Sequence, residues 1–166
     1  MQIEYRIACI EDLKEICDLV KNAINTMIEQ NILQWDEIYP NEEVLREDIN
    51  KRQLYVGAAD KQIAVIYVIN QECDAEYKNG KWKYEDKPFC IIHRLCVNPL
   101  FQNKGVGRIT LQHIEKEAEK MGFHAIRLDA CTKNPFALKL YDSFGYSRVG
   151  YADWRKGRFY LMEKYL

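Results

Sequence analysis

Residues 91–107 read Ile-Ile-His-Arg-Leu-Cys-Val-Asn-Pro-Leu-Phe-Gln-Asn-Lys-Gly-Val-Gly. An apolar run ends at an Asn-Pro turn, a Gln-x-x-Gly-x-Gly segment follows, and an amphipathic stretch comes next. This pattern predicts a strand that leads through a glycine-rich turn into a helix. The N–H groups of the first helical turn have no intrahelical partner and lie at the positive end of the helix dipole. The segment therefore predicts a site for phosphate.

The rest of the chain alternates strands and helices around this segment. Hydrophobic periodicity and turn residues predict strands at residues 3–7, 54–59, 63–69, 90–97, 125–131, 146–152 and 158–165, and helices at 11–28, 41–52, 108–121 and 134–145. Short turns predict antiparallel pairing of the early strands, whereas the helix between the fourth and fifth strands predicts a parallel pair. We therefore expect one mixed α/β domain over residues 1–166.

Composition excludes several classes of protein. The formal net charge is −1 and the charged residues are scattered, so nucleic acid is not expected as a partner. No apolar stretch is long enough to cross a membrane, and the first residues lack the pattern of a secretory signal. The six cysteines form no Cys-x-x-Cys pair, and we expect reduced, buried thiols, no metal site and a cytoplasmic location.

The segment from Gln102 to Gly107 has three interpretations. It is a helix cap with glycines chosen for backbone freedom, a dinucleotide fingerprint, or a loop that binds the pyrophosphate of another cofactor. Asp129 lies at a suitable distance for a ribose contact, but Thr110 takes the place of the third glycine. In addition, the glycines do not follow the strand directly, as a fingerprint requires.

Two motifs together resemble the GNAT superfamily of N-acetyltransferases. The Gln102-x-x-Gly105-x-Gly107 spacing resembles the acyl-CoA pyrophosphate loop of that superfamily. The stretch from Asn134 to Tyr146 resembles its Asn-x-x-Ala-x-x-Leu-Tyr-x-x-x-Gly-Phe/Tyr segment, which follows the fifth strand. The resemblance implies the GNAT fold, with about seven strands, four helices, and fourth and fifth strands that splay apart.

The resemblance also implies that acetyl-CoA is the cosubstrate and that no metal is needed. The pantetheine arm is expected to pair with the edge of the fourth strand, the pyrophosphate with the glycine loop, and Asn134 with the pantetheine. The implied cofactor-binding residues are Leu95, Cys96, Val97, Gln102, Asn103, Lys104, Gly105, Val106, Gly107, Arg108, Asn134 and Tyr141.

The implied chemistry is direct attack of a neutral amine on the thioester carbonyl. The backbone N–H of Leu95 is expected to stabilise the oxyanion, and Tyr141 to protonate the leaving thiolate as general acid. Many relatives carry a glutamate base where this chain has Ile91, so the base is open between His93, an acidic residue of the segment 71–86 such as Glu72, and water. Strand alternation predicts that His93 and Leu95 leave the same face.

The acceptor is not readable from the sequence. Trp35, Tyr39 and Glu72 are candidates for the acceptor pocket, although aromatic loop residues more often serve packing alone. The acceptor is expected to carry a primary amine, on a small molecule, a protein N-terminus or a lysine. A homodimer is also compatible with the sequence. The alternative function is a non-catalytic acyl-CoA-binding domain, which would have no need of Tyr141.

Overall fold

The computed structural model describes residues 1–166. Its strands are β1 (Glu4–Ile7), β2 (Leu54–Ala59), β3 (Gln62–Asn70), β4 (Phe89–Val97), β5 (Ala125–Cys131), β6 (Ser147–Trp154) and β7 (Gly157–Tyr165). Its α-helices are α1 (Leu13–Glu29), α2 (Glu42–Asn50), α3 (Val106–Lys120) and α4 (Pro135–Ser143), with short 3₁₀ helices at Ile10–Asp12, Ala75–Asn79 and Pro99–Phe101. The predicted element order is confirmed.

The strands form one mixed sheet in the order β1-β2-β3-β4-β5-β7-β6. The early pairs β1–β2 and β2–β3 are antiparallel and β4–β5 is parallel, as predicted. The pairs β5–β7 and β6–β7 are antiparallel as well. The parallel register runs from Phe89↔Ala125 to Ile92↔Leu128, and both strands continue beyond that last pair. The predicted fold class, including the splayed fourth and fifth strands, is confirmed.

By the distances between Cα atoms, the chain divides into two compact units, Met1–Ile69 with Arg94–Thr110 and Asn70–His93 with Leu111–Leu166. Strand β4 and helix α3 each contribute residues to both units. The single domain expected over residues 1–166 stays a prediction.

The first unit packs α1 and α2 onto one hydrophobic cluster. Leu45 and Ile49 of α2 and Ile16 of α1 lie in this cluster and are almost fully buried. Helix α2 begins where the sequence predicts, because the Asn41 side chain accepts a hydrogen bond from the Val44 N–H at 3.0 Å. The helices are therefore held by their apolar faces and by a local cap.

The second unit contains the long segment between β3 and β4, residues 71–88. It contains the 3₁₀ helix Ala75–Asn79, and the Lys81 N–H donates to the Val149 carbonyl of β6 at 2.7 Å. Gly150 allows this close approach, since a Cβ there would lie 2.8 Å from the Asn79 carbonyl oxygen. The segment is thereby fastened to the sheet of its own unit.

Two expectations need correction. Helix α3 begins at Val106, so Gly107 lies inside its first turn, whereas the predicted helix started at residue 108. All six cysteines are free, as expected, but only Cys90, Cys96 and Cys131 are buried, whereas Cys9 and Cys73 are exposed and Cys17 is partly buried. No helix is long and apolar enough to cross a membrane.

Candidate active site

The glycine loop is anchored within the first unit by Asn98. Its backbone N–H donates to the Ala64 carbonyl of β3 at 2.8 Å, and its side-chain amide donates to the Ile63 carbonyl at 2.9 Å. The Asn98 side-chain oxygen accepts from the Leu100 N–H at 3.1 Å. The Asn-Pro turn of the sequence therefore fixes the point at which the chain leaves β4.

The loop backbone is shaped to bind an anion. Asn103 and Gly105 both adopt left-handed conformations, with φ of 59° and 78°. The first helical hydrogen bond of α3 runs from the Ile109 N–H to the Gly105 carbonyl at 3.0 Å, so the preceding N–H groups lie at the start of the helix. Turns of this kind aim successive N–H groups into one concavity that attracts phosphate oxygens. The loop therefore has the backbone geometry typical of an anion site.

Most side chains of the loop are turned away from this concavity or into solvent. Val106 is buried and packs with Phe101 in a small hydrophobic cluster, so it can offer only its backbone. Asn103 and Lys104 are exposed, and the Lys104 Nζ lies 5.3 Å from the centre of the Phe101 ring. The loop therefore offers an anion mainly its backbone N–H groups, and the charge of exposed Lys104 is screened by solvent.

Helix α3 is tied to β1 directly behind the loop. The Tyr5 hydroxyl and the Thr110 hydroxyl are 2.9 Å apart, and Thr110 is fully buried. Thr110 is the residue that takes the place of a third fingerprint glycine. In a dinucleotide fingerprint, a glycine at this position lets the helix pack closely on the strand. The hydrogen-bonded side chain of Thr110 occupies that space here, which disfavours the dinucleotide interpretation.

Strand β4 is irregular at Arg94, whose φ is 52°. A non-glycine residue in this conformation costs about 1–2 kcal/mol and breaks the alternation of side chains along a strand. The expectation that His93 and Leu95 leave the same face assumed a regular strand between them, and it stays a prediction. Leu95 and Val97 pack against the cluster of Val65 and its neighbours, whereas Cys96 lies in the main cluster of the first unit.

Sequence reasoning missed the partners of Arg94. Its guanidinium donates two hydrogen bonds to the Asp48 carboxylate, from Nε at 2.8 Å and from Nη2 at 2.7 Å. Its Nη1 donates to the Tyr39 hydroxyl at 2.6 Å. The Arg94 and Asp48 side chains are only 11% and 8% exposed. No sequence signal could have paired them, because 46 residues separate them in the chain.

The two aromatic candidates for the acceptor pocket have different surroundings. Tyr39 is 40% exposed and bound to Arg94 through its hydroxyl, so its ring remains available at the surface of the first unit. Trp35 packs half-buried against the main hydrophobic cluster. Its packing explains its presence without a ligand, while Tyr39 retains the exposure that a pocket residue needs.

Tyr141 lies on α4 in the second unit, where the sequence predicts it. The residue is buried, and its ring meets the Tyr146 ring edge-to-face with centroids 5.7 Å apart. Burial raises the pKa of the Tyr141 hydroxyl well above its ordinary value of 10.0, and the negative charge of Asp129 raises it further. The hydroxyl therefore stays protonated at neutral pH, as a proton donor must.

Asn134 also caps the helix that follows it in the chain. Its side-chain oxygen accepts a hydrogen bond from the Ala137 N–H at 3.1 Å and caps α4, and the residue is buried. The helix that carries Tyr141 thus begins at this cap. Any role in binding pantetheine falls to the amide nitrogen of the same side chain.

The structure brings His93 and Glu72 together in the second unit. His93 Nε2 lies 2.8 Å from Asn70 Oδ1 and 3.0 Å from the Glu72 backbone oxygen. Asn70 Oδ1 also accepts from the Glu72 N–H at 3.0 Å, which identifies that atom as an oxygen. Because both neighbours of Nε2 are acceptors, Nε2 carries a proton. Only Nδ1 of His93 can therefore act as a base.

Asp129 is a further candidate that sequence reasoning weighed only as a ribose contact. It follows Leu128, the last residue of β5 in the parallel register, just as His93 follows Ile92 on β4. The buried Tyr77 hydroxyl donates to Asp129 Oδ2 at 2.7 Å. Burial, and then the charge of Asp129, raise the pKa of Tyr77, so it remains a donor that orients this carboxylate. The sequence did contain a signal for Asp129, because an acidic residue near the end of a mostly buried strand is a candidate for a functional role.

Comparison with known proteins identifies the family. A family model described as the Acetyltransferase (GNAT) family matches residues 23–146. That match covers most of the 166 residues, and the chain therefore belongs to the GNAT acetyltransferase family. A relative, the ribosomal protein bS18-alanine N-acetyltransferase of Escherichia coli K12, is 34% identical over 58 residues, which are 35% of this chain and 39% of that enzyme. The match thus spans well under half of that relative.

Solved structures share the fold over the whole chain. A GNAT-family acetyltransferase from Streptococcus agalactiae superposes with a TM-score of 0.86 at 21% identity, covering 99% of this chain and 95% of the other. The PaiA N-acetyltransferase from Thermoplasma acidophilum, solved in complex with coenzyme A, has a TM-score of 0.73 at 21% identity, and each chain is covered to 100%. The structure contains no group of three or more His, Cys, Asp or Glu side chains suited to a metal ion.

The two duties of Asn134 can be separated by substitution. Asn134→Ser retains an N-cap oxygen but lacks the amide, so we expect near-native thermal stability with acetyl-CoA binding weakened about 2- to 12-fold, the worth of one hydrogen bond. Asn134→Ala removes the cap as well and should lower the free energy of unfolding by about 1 kcal/mol. Calorimetry and denaturant titration measure both effects. If Asn134→Ser bound acetyl-CoA with native affinity, the role of Asn134 would be limited to capping α4.

Proposed function

We propose that this chain is an N-acetyltransferase that moves the acetyl group of acetyl-CoA to a primary amine. The observation that carries the proposal is the glycine loop, in which left-handed Asn103 and Gly105 lead into the first turn of α3. Such a turn suits the pyrophosphate of acetyl-CoA, and membership of the GNAT family supports the acetyl transfer. We assign the pyrophosphate to residues 102–108 and the pantetheine arm to the backbone of residues 95–97.

The reaction follows direct attack. The neutral amine of the acceptor forms a bond to the thioester carbonyl carbon, and we assign the backbone N–H of Leu95 to the developing oxyanion. The tetrahedral intermediate then breaks its carbon–sulfur bond, and we assign Tyr141 as the donor of the proton that the thiolate takes. Support for Tyr141 is its position on α4 and a pKa raised by burial, which keeps its hydroxyl protonated.

For the base, we propose Asp129 rather than His93. Nε2 of His93 donates to Asn70 and to the Glu72 carbonyl, so it cannot accept a proton. The Asp129 carboxylate is oriented by the hydroxyl of Tyr77 and can accept one. A carboxylate at this position attracts the acceptor ammonium, takes a proton from it and releases that proton to solvent. The amine that remains is neutral and can attack the thioester. His93 serves instead to fasten the chain around Asn70 and Glu72.

The acceptor is best sought among several kinds of amine. The Escherichia coli relative acts on the alanine of a ribosomal protein, which places peptides with N-terminal alanine in the panel beside lysine peptides and small amines. We assign Tyr39 and Glu72 to the acceptor side, since both are exposed. A cytoplasmic location and a homodimer stay predictions, the former supported by six free thiols.

Binding of acetyl-CoA is the first test. Calorimetry should show binding of acetyl-CoA to the wild type and none of NADH, and Gly107→Val should weaken acetyl-CoA binding about tenfold or more, because branches on Cβ obstruct phosphate at the helix start. Gln112→Val, an equally β-branched change at an exposed position of α3, is the matched control and should bind normally. If Gly107→Val bound acetyl-CoA with unchanged affinity, the glycine loop would not be the phosphate site.

Catalysis distinguishes the enzyme from a non-catalytic acyl-CoA-binding domain. Tyr141→Phe should lower kcat about 10²–10⁴-fold with little change in acetyl-CoA affinity, because the lost proton donor acts mainly in the transition state. Tyr146→Phe, a change in the neighbouring ring, should retain most activity. In the wild type, the raised pKa predicts no descending limb of kcat from tyrosine ionisation up to about pH 10. Full activity of Tyr141→Phe would make this tyrosine a packing residue.

The assignment of the base has its own test. Asp129→Asn should lower kcat/KM about 10²–10⁴-fold near neutral pH and recover as rising pH deprotonates the amine in solution. His93→Gln keeps a donor toward Asn70 and Glu72 and should lose less than about tenfold. If His93→Gln lost more kcat/KM than Asp129→Asn, the base would be Nδ1 of His93 instead.

A further inference from the structure

The conformation of Arg94 determines the direction of the Leu95 N–H. The Arg94 carbonyl and the Leu95 N–H lie in one peptide plane, so the backbone dihedral angles of Arg94 set the direction of that N–H. Arg94 has a φ of 52°, although it lies inside β4 and is not a glycine. A strained residue of this kind persists only when its surroundings hold it.

Three hydrogen bonds from its guanidinium hold Arg94. The Asp48 carboxylate of α2 binds two nitrogens of its guanidinium at 2.7 and 2.8 Å, and both side chains are nearly buried. The third nitrogen is bound by the Tyr39 hydroxyl. The fork of an arginine bound twice to one carboxylate has a single geometry, which restricts the backbone from which it extends.

Helix α2 is itself a firm support for Asp48. Leu45 and Ile49, one turn before and one residue after Asp48, are buried in the main cluster of the first unit, and Asn41 caps the helix. Burial raises the pKa of the Asp48 carboxyl, and the charge of Arg94 opposes that shift. The carboxylate is therefore kept charged by the arginine that it orients.

We propose that Asp48 is a positioning residue for acetyl transfer, which holds Arg94 in its left-handed conformation and thereby aims the Leu95 N–H at the thioester oxygen. The inference rests on the proposed function, in which that N–H stabilises the oxyanion. Asp48 touches no reacting atom and acts only through Arg94. Its removal misdirects one hydrogen bond of the transition state while the phosphate loop stays intact.

The first experiment separates rate from binding. Asp48→Asn should lower kcat about 10- to 100-fold, the loss typical of a group displaced by about 1 Å, with acetyl-CoA affinity within about twofold of wild type. Glu47→Gln makes the same chemical change one residue earlier on α2, in an exposed ion pair with Lys51, and should leave kcat unchanged. Native kcat in Asp48→Asn overturns the proposal.

A second pair of variants tests the backbone rather than the charge. Asp48→Asn/Arg94→Gly and Asp48→Asn/Arg94→Ala both lack the ion pair, but only glycine adopts positive φ without strain. We expect the glycine variant to retain about tenfold more kcat than the alanine variant at equal acetyl-CoA affinity. Equal kcat values in the two variants overturn the proposal, because the conformation of residue 94 would then be irrelevant.

A spectroscopic signal reports the same geometry without turnover. In protein labelled with ¹⁵N-leucine, the Leu95 amide proton should move downfield with acetyl-CoA relative to coenzyme A, and this difference should shrink in Asp48→Asn but not in Glu47→Gln. A difference that persists in full in Asp48→Asn overturns the proposal. If wild-type protein neither binds acetyl-CoA nor transfers its acetyl group, the proposed function itself fails, which is a separate outcome.

Discussion

The parallel hydrogen bonding between β4 and β5 stops at Ile92 and Leu128, and the proposed chemistry depends on that stop. Every backbone N–H and C=O group needs a partner, so the residues of β4 beyond Ile92 present an edge that an extended ligand can pair with. A pantetheine arm has amide groups suited to such an edge. The ladder that holds the sheet together therefore also defines where a cosubstrate can be received.

Irregular backbone is concentrated where β4 leads into the glycine loop, although turns elsewhere in the chain contain it as well. Arg94, Asn103 and Gly105 have positive φ within twelve residues of one another, while β5 and α4 are regular. Arg94 is held from outside by the carboxylate of Asp48 and the hydroxyl of Tyr39. Strain of this kind is stable because the surrounding core is rigid and well packed.

The second unit shows how buried polar residues hold a long segment in place. Tyr77 donates to Asp129, and the Arg127 guanidinium lies 4.4 Å from the Trp82 ring centre and 3.7 Å from that of Phe89. The Lys83 N–H donates to Glu163 at 2.8 Å. An arginine between two aromatic faces combines cation–π attraction with burial of its stem, which explains why a segment rich in charged residues is ordered.

The sequence by itself determined the elements and their order, because hydrophobic period, caps and turn residues are local properties. Asn41, Asn98 and Asn134 each cap a helix that follows directly in the chain, and the glycine loop could be recognised from its spacing alone. Only the tertiary structure revealed the bond between Arg94 and Asp48 and the one between Tyr77 and Asp129, since 46 and 52 residues separate these partners. It also revealed the left-handed turn at Arg94, which no local propensity of arginine favours and which the contacts of a distant helix impose.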